Sequence, residues 1–200
     1  MSAALTAPLW LASASLRRRE LLTQVGVPFR VEPSRAEEVR RPGEDAASFV
    51  TRAASDKAAE VSLRLAAAGE GFVLGADTVV VRGDDVLGKP RDDAHALEML
   101  RALSGETHRV ITGVSLWAGG SERARTHATT HVVFRALDED ELGRYVALGE
   151  GRDKAGAYAV QGVAAGFVRG VEGSYSNVVG LPLAETLELM REAGLLQAWP

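Results

Sequence analysis

Short apolar runs alternate along the chain with stretches in which hydrophobic residues recur every three or four positions. The runs have the length of buried strands, and the longer stretches have the period of helices packed on one face. The predicted strands are residues 8–12, 29–33, 72–77, 78–82, 108–117 and 124–135. The predicted helices are residues 16–25 closed by Gly26, residues 45–68 closed by Gly69, residues 93–103, a segment opened by Asp138, and residues 182–193.

This alternation predicts an α/β fold with a mixed, twisted sheet and flanking helices. At least two connections are short enough to be hairpins, including the turn predicted at residues 83–85, so part of the sheet must be antiparallel. We expect the run from Phe72 to Arg82 to be interrupted at Gly75-Ala76-Asp77. No repeat and no long linker divides the chain, so residues 1–200 are predicted to form a single domain.

Composition narrows the functional classes. A net charge of −4 argues against binding nucleic acid over a broad surface, which requires many positive charges. With no cysteine, disulfides, thiolate catalysis and cysteine-ligated zinc are excluded. No basic segment precedes an apolar core at the N-terminus, and no run of 18 apolar residues follows. We therefore expect a cytoplasmic protein without membrane or nucleic-acid partners.

Three arginines stand in the first turn of a predicted helix, in the stretch "LASASLRRRE". With Ser15 as the N-cap, Arg18 occupies a position that normally favours an acid, because the helix N-terminus carries partial positive charge. Helical periodicity also places Arg18 on the midline of the apolar stripe. A strand, a turn of small residues and a helix N-terminus together form an anion site. The alternative is a solvated basic turn, which does not explain an inward Arg18.

Two further charges fall where apolar residues are expected. Lys57 lies inside the core stripe of the long helix, so its ammonium either extends past the helix edge or reaches an acid or a phosphate. Asp77 interrupts the apolar run "FVLGADTVVV", where a carboxylate is costly unless it is paired or metal-bound. Asp77 either closes a bend through backbone hydrogen bonds or serves as a metal ligand or general base. Lys89 and the pair Glu37-Glu38 are weaker candidates.

Several cations with one or two buried acids are typical of a site for a polyphosphate and a divalent metal. The phosphate-binding pattern GxxxxGK[ST] is absent, and no GxGxxG follows a strand. The four histidines lack the HExxH spacing of a zinc site, and His127 and His131 fit a solvent-facing side of a strand.

Six blocks resemble, in order and spacing, the Maf family of nucleoside triphosphate pyrophosphatases, also called septum formation proteins. The blocks are "LASASLRRRELL", "LGADTVV", "LGKPRD", "RALSGETHRVITGV", "DKAGAYAVQG" and "VEGSYSNVVGLPL". The resemblance spans Leu9 to about Met190. It implies a fold akin to the inosine triphosphate pyrophosphatases, with a cleft between two lobes and a divalent cation, Mg²⁺ or Mn²⁺. It also implies hydrolysis of a nucleotide to the monophosphate and pyrophosphate, and a homodimer.

The resemblance also implies roles for individual residues. Asp77 matches the catalytic acid, as general base or metal ligand, and Glu38 matches a second acid of the metal site. The positions implied in substrate binding are Ser13, Ser15, Arg17, Arg18, Lys57, Thr78, Lys89 and Gln161. The departures are small: Leu16 stands where many relatives have proline, and Arg19 extends the basic run.

Gln161 indicates the branch that acts on dTTP and UTP. Its amide offers one donor and one acceptor, which matches the N3–H and O4 of uracil or thymine, whereas a carboxylate suits the two donors of guanine. Two alternatives stay open. One is an enzyme of the same family for modified purine nucleotides such as 7-methyl-GTP, and the other is a non-catalytic nucleotide-binding regulator of cell division. Modified pyrimidine nucleotides are further candidate substrates, and the role is either cleansing of the nucleotide pool or a checkpoint.

Overall fold

The computed structural model describes residues 3–65 and 71–199. The strands are β1 (Ala4–Leu5), β2 (Leu9–Leu11), β3 (Arg30–Val31), β4 (Phe72–Arg82), β5 (Asp85–Leu87), β6 (Thr107–Ala118), β7 (Ser121–Phe134), β8 (Val168–Glu172) and β9 (Leu196–Ala198). The helices are α1 (Leu16–Gln24), α2 (Ala46–Leu65), α3 (Asp93–Leu103), α4 (Glu139–Ala147), α5 (Tyr175–Val179) and α6 (Leu183–Glu192). Short 3₁₀ turns cover Ala155–Ala157 and Val163–Phe167. Within these residues, no helix is both long and apolar enough to cross a bilayer.

Seven strands form one mixed sheet in the order β3-β2-β4-β6-β7-β8, with β5 paired to β4. Strand β2 is parallel to both β3 and β4, whereas β5 is antiparallel to β4 and β8 is antiparallel to β7. Strands β6 and β7 are joined by Gly119-Gly120, which both have positive φ, as a tight hairpin turn requires. The mixed α/β fold predicted from the sequence is thereby confirmed.

The chain divides into two compact units. The first comprises Met1–Asp77, Thr112–Ala128 and Gly180–Pro200. Its core includes a cluster in which α2 packs on the first strands of the sheet. The buried members of that cluster are Ala12, Ala58, Val61 and Val73, with Trp10, Leu65 and Trp117 packed around them. This unit therefore carries the whole of α2 and the beginning of β4.

The second unit comprises Thr78–Ile111 and Thr129–Val179. Its core contains a chain of edge-to-face aromatic contacts, with ring centroids 4.8 to 6.0 Å apart. The members are His108, Phe134, Tyr145, Tyr158 and Phe167. Such contacts fix ring orientations as well as burying area. Helix α4 begins with a capping box between Asp138 and Glu141, which confirms the predicted start of this helix at Asp138.

Most element boundaries follow the sequence predictions within two residues, and one prediction is wrong. Strand β4 runs without a break from Phe72 to Arg82, so Gly75-Ala76-Asp77 does not interrupt it. The flanking valines and leucine favour an extended strand, and a glycine is tolerated there because α2 approaches it closely. The predicted closure of α2 at Gly69 lies outside the described residues. Gly26 has positive φ after α1, as predicted, and Gly105 has positive φ after α3.

Candidate functional site

The first helix begins where the sequence predicts, and Arg18 points inward. The Ser15 hydroxyl accepts a hydrogen bond from the backbone N–H of Arg18 at 3.4 Å, which makes Ser15 the N-cap. The Arg18 side chain is buried, with 9% of its surface exposed. Its Nε donates to the carbonyl of Gly180 at 2.8 Å, and its Nη1 donates to the Ser13 hydroxyl at 3.2 Å. The guanidinium is therefore held in a fixed position by a nearby residue, Ser13, and by a residue far along the chain, Gly180.

The charge of Arg18 is held among other charges of the first unit. Burial lowers the pKa of its guanidinium, while the carboxylates of Asp77 and Glu38 raise it and the cation of Arg17 lowers it further. An arginine remains protonated at physiological pH despite such a shift. Arg18 thus interacts electrostatically with three other positions predicted for the site, Arg17, Glu38 and Asp77.

Lys57 connects the two predicted acids. Its Nζ donates to Oδ1 of Asp77 at 2.7 Å and lies 2.6 Å from Oε1 of Glu38. Lys57 and Asp77 are both buried, whereas the side chain of Glu38 is about half-exposed. Of the alternatives for Lys57, the structure supports the one in which its ammonium reaches an acid. The bend-closing role for Asp77 is wrong, because Asp77 lies inside β4 and is paired with a lysine.

A glycine in β4 allows this pair to form. Gly75 and Asp77 lie on the same face of the strand, because alternate residues of a strand share a face. A Cβ at Gly75 would lie only 2.1 Å from the carbonyl oxygen of Ala54 in α2. The helix backbone therefore packs directly on the strand at this point. Lys57, nearly one turn further along α2, is brought over Asp77.

The segment that carries Glu38 is fastened to α2, a feature that the sequence did not reveal. Arg52 donates to the carbonyl of Val39 at 3.0 Å and to both carboxylate oxygens of Glu44 at 2.7 Å. The Arg52 guanidinium lowers the pKa of the Glu44 carboxyl to about 2. A second tie is the bond from the backbone N–H of Arg35 to Glu60 at 3.1 Å. An arginine on the helix surface gives no sequence signal of such a role.

The donor set fits a divalent cation of the magnesium type. Mg²⁺ is commonly held by one or two carboxylates, with water and substrate phosphates completing its shell. The Lys57 ammonium bridges Asp77 and Glu38, so their oxygens are placed to share one cation. Over residues 3–65 and 71–199, no cluster of three or more histidine or acidic side chains could hold a metal by itself. An ion held by Asp77 and Glu38 would therefore take its remaining ligands from water or substrate.

The remaining predicted residues belong to the second unit. Thr78 directly follows Asp77 in β4 and is partly buried. Lys89 is exposed in the segment between β5 and α3, and Gln161 is exposed between the two 3₁₀ turns. The first unit thus brings together Ser13, Ser15, Arg17, Arg18, Glu38, Lys57 and Asp77. The roles of these residues, and those of Thr78, Lys89 and Gln161, stay predictions.

The fold and the site define an α/β protein in which a buried lysine joins two acids beside a buried arginine. The chain belongs to the family of Maf-like proteins, whose family model matches residues 8–193. It is similar to a protein from an Anaeromyxobacter species named dTTP/UTP pyrophosphatase, with 51% identity over 94% of this chain and 91% of the relative. Proteins of the same name from Alcanivorax borkumensis (48% identity; 94% and 96% covered) and Myxococcus xanthus (50%; 94% and 94%) are similarly close. The family resemblance stated from the sequence is confirmed.

Two solved structures are distantly similar. One is a nucleoside-triphosphatase / dITP/XTP pyrophosphatase from Mycobacterium abscessus, with 15% identity, 65% of this chain and 75% of that chain covered, and a TM-score of 0.40. The other is a HAM1 protein from Coxiella burnetii, with 16% identity, coverage of 78% and 89%, and a TM-score of 0.42. Similarity at this level identifies neither a shared substrate nor a shared mechanism.

Proposed function

We propose that this protein is a metal-dependent nucleoside triphosphate pyrophosphatase that hydrolyses dTTP and UTP to the monophosphate and pyrophosphate. The observation that carries the proposal is the identity of about half of all residues, over nearly the full length, with proteins named for that activity. Support from the geometry comes from Arg18, Lys57, Asp77 and Glu38, which supply the cations and acids that such a reaction needs.

Asp77 and Glu38 would hold the cation, Mg²⁺ or Mn²⁺, together with substrate phosphate oxygens. When bound, the cation neutralises phosphate charge and makes a bound water more acidic. Lys57 and Arg18 are buried cations in fixed positions, so they stabilise negative charge with little reorganisation. We assign Arg17 and Lys89 to the same triphosphate, Ser13 and Ser15 to positioning of the first helical turn, and Thr78 to substrate binding beside the catalytic acid.

In the reaction, a water attacks the α-phosphorus. The bond from that phosphorus to the oxygen bridging to the β-phosphate breaks, and pyrophosphate leaves with that oxygen. Asp77 would either accept the proton lost by the water or act as a ligand that holds the cation; either role needs its carboxylate near the reacting atoms. Gln161 reads the O4 and N3–H of the base through its amide.

A substrate panel tests the proposal. Pyrophosphate release is measured from UTP, dTTP, CTP, GTP and 7-methyl-GTP, with Mg²⁺ or Mn²⁺ titrated into metal-free protein. We expect kcat/KM for UTP and dTTP to exceed the others by about 10²-fold. Turnover of 7-methyl-GTP above UTP would replace the substrate assignment, and no turnover of any nucleotide would favour the regulator.

Two variants, assayed with the same substrate panel, test the roles proposed for Asp77 and Gln161. Asp77→Asn should lower kcat by ~10³-fold with the fold intact, while the exposed Asp84→Asn serves as the matched control. Near-normal hydrolysis by Asp77→Asn would refute the catalytic role. Gln161→Glu should remove the preference for pyrimidines, and an unchanged substrate profile would contradict base reading by Gln161.

A further inference from the structure

The exposed Gln161 lies in a segment whose flanks are both held by side chains of the second unit. Before it, the backbone N–H of Ala159 donates to the hydroxyl of Tyr145 at 3.1 Å. After it, the N–H groups of Val163 and Ala164 donate to the two carboxylate oxygens of Glu150 at 3.0 and 3.5 Å. The backbone on either side of Gln161 is therefore fixed, while its side chain faces solvent.

Tyr145 and Glu150 hold the two flanks of the same segment, Tyr145 before Gln161 and Glu150 after it. Burial, and after it the carboxylate of Glu150, raises the pKa of Tyr145 above its ordinary range. The phenol thus stays protonated, and its oxygen accepts the hydrogen bond from Ala159. The Tyr145 ring is fixed in turn by edge-to-face packing on Phe167, with centroids 5.0 Å apart.

The Glu150 carboxylate also fills the space beside the residue that follows Gln161. A Cβ at Gly162 would lie 1.7 Å from Oε1 of Glu150. The N–H of Gly162 donates to the carbonyl of Ala159 at 3.1 Å, which closes a turn around Gln161. A larger side chain here would displace the Glu150 carboxylate, so the turn rests directly on that carboxylate.

We infer that Glu150 and Tyr145 are positioning residues that set the base selectivity of the enzyme by holding Gln161. The inference rests on the proposed function, in which the Gln161 amide reads the base. An amide distinguishes uracil from cytosine only while its donor and acceptor keep their order toward the base edge. Loss of Glu150 leaves two backbone N–H groups without their acceptor and frees the turn. Contacts to the phosphates, which involve other residues, are unaffected.

The test compares UTP with CTP, which differ at position 4 of the base, where UTP has an acceptor and CTP a donor. The variants are Glu150→Ala, Glu150→Gln and Tyr145→Phe. The matched control is Glu141→Gln, because Glu141 in α4 also binds a backbone N–H, that of Asp138 at 3.3 Å, but belongs to the helix cap. The quantity measured is the ratio of kcat/KM for UTP to that for CTP, with thermal unfolding of each variant recorded alongside.

We expect Glu150→Ala to lower this ratio about ten-fold, through a higher KM for UTP and with kcat changed less than about three-fold. Glu150→Gln should recover part of the ratio, because its carbonyl oxygen still accepts one N–H. Tyr145→Phe, which keeps the ring packing, should lower the ratio, and Glu141→Gln should leave it unchanged. In a Gln161→Ala background, Glu150→Ala should have no additional effect on the ratio.

Three outcomes would overturn the inference. One is a wild-type ratio in both Glu150→Ala and Tyr145→Phe. Another is an equal fall of kcat/KM for UTP and CTP, which would show a merely structural role. The third is additivity of the Glu150 and Gln161 substitutions. Wild-type protein that releases no pyrophosphate from UTP or dTTP would instead overturn the proposed function, and the inference with it.

Discussion

The ammonium of Lys57 lies 2.7 Å from a carboxylate oxygen of Asp77, and both side chains are buried where a helix packs on a strand. Removing two charges from water costs several kcal/mol per ion, which their mutual attraction repays only when the remaining hydrogen-bonding groups also find partners. Glu38 provides the lysine with a further partner at 2.6 Å. Buried charges that are retained despite this desolvation cost are common in functional sites.

Removing only one partner of this ion pair should destabilise the fold more than removing both partners. Lys57→Met leaves the Asp77 carboxylate buried without its cation, and we expect the free energy of unfolding to fall by about 3–5 kcal/mol. The double variant Lys57→Met/Asp77→Asn removes both charges of the pair, so it should recover much of that loss. Urea unfolding of the wild type, both single variants and the double variant measures the coupling.

Activity measurements on the same four proteins distinguish effects on the site from effects on the stability of the fold. The double variant should remain inactive although its stability recovers, because neither the acid nor the cation is restored. Additive losses of stability would show that Lys57 and Asp77 are not energetically coupled. A double variant with recovered activity would contradict the proposed role of Asp77.

Arg52 is expected to control the metal site without touching it. Under the proposed role of Glu38, Arg52→Met releases the carbonyl of Val39 and the carboxylate of Glu44, so the segment carrying Glu38 is held less firmly. We expect the Mg²⁺ concentration for half-maximal activity to rise about ten-fold, with kcat at saturating metal nearly unchanged. Arg101→Met, which breaks an exposed ion pair with Glu139, is the control. An unchanged Mg²⁺ concentration for half-maximal activity would show that the contacts of Arg52 do not position Glu38.

Periodicity predicted where the charges of the site lie but not what they bind. Arg18 and Lys57 fall on the apolar stripes of their helices, and both are buried. The inward position was predicted for Arg18, whereas for Lys57 the sequence left open whether its ammonium extends past the helix edge. Their partners come from distant parts of the chain: Gly180 for Arg18, and Asp77 and Glu38 for Lys57. A pattern within one helix contains no information on such contacts. The fastening of the Glu38 segment by Arg52 was missed for the same reason.

The wrong prediction at Gly75 has a related cause. Local preference alone disfavours glycine in the interior of a strand, and it therefore predicts a break at Gly75. The tertiary contact with α2 requires that glycine, and the strand continues through it. The local rule therefore failed at the point where the helix must approach the strand to place Lys57 over Asp77.

Gly75→Ala tests that approach. Because the new Cβ would lie 2.1 Å from a backbone oxygen, the helix must shift, and we expect a loss of about 3 kcal/mol in the free energy of unfolding. The shift also separates Lys57 from Asp77, so kcat should fall. Gly143→Ala is the control: Gly143 lies within α4 with open space around it, and alanine there should stabilise the protein by about 0.5 to 1 kcal/mol. Wild-type stability in Gly75→Ala would show that the backbones are not in contact.

The buried His108 should make stability depend on pH below neutrality. Its Nε2 lies 2.8 Å from the Tyr158 hydroxyl, and burial lowers its pKa to about 4 from an ordinary value of 6.5. Protonation would make both ring nitrogens donors, and Nδ1 has no hydrogen-bond partner within residues 3–65 and 71–199. Between pH 6.5 and 4 the unfolded chain therefore binds a proton that the folded protein excludes, so stability is complete above pH 6.5 and falls as the pH is lowered.

The expected loss across this window is about 3 kcal/mol, which follows from the difference between the two pKa values. Urea unfolding at intervals from pH 7.5 to 4.5 measures it, with His108→Gln removing the titrating group and the exposed His127→Gln as the control. His108→Gln should be less stable than the wild type at pH 7.5, yet its stability should fall less on acidification, because other groups titrate equally in both proteins. Parallel pH profiles for wild type and His108→Gln would mean that His108 is protonated in the folded state, and its contact with Tyr158 would then have to tolerate a buried charge.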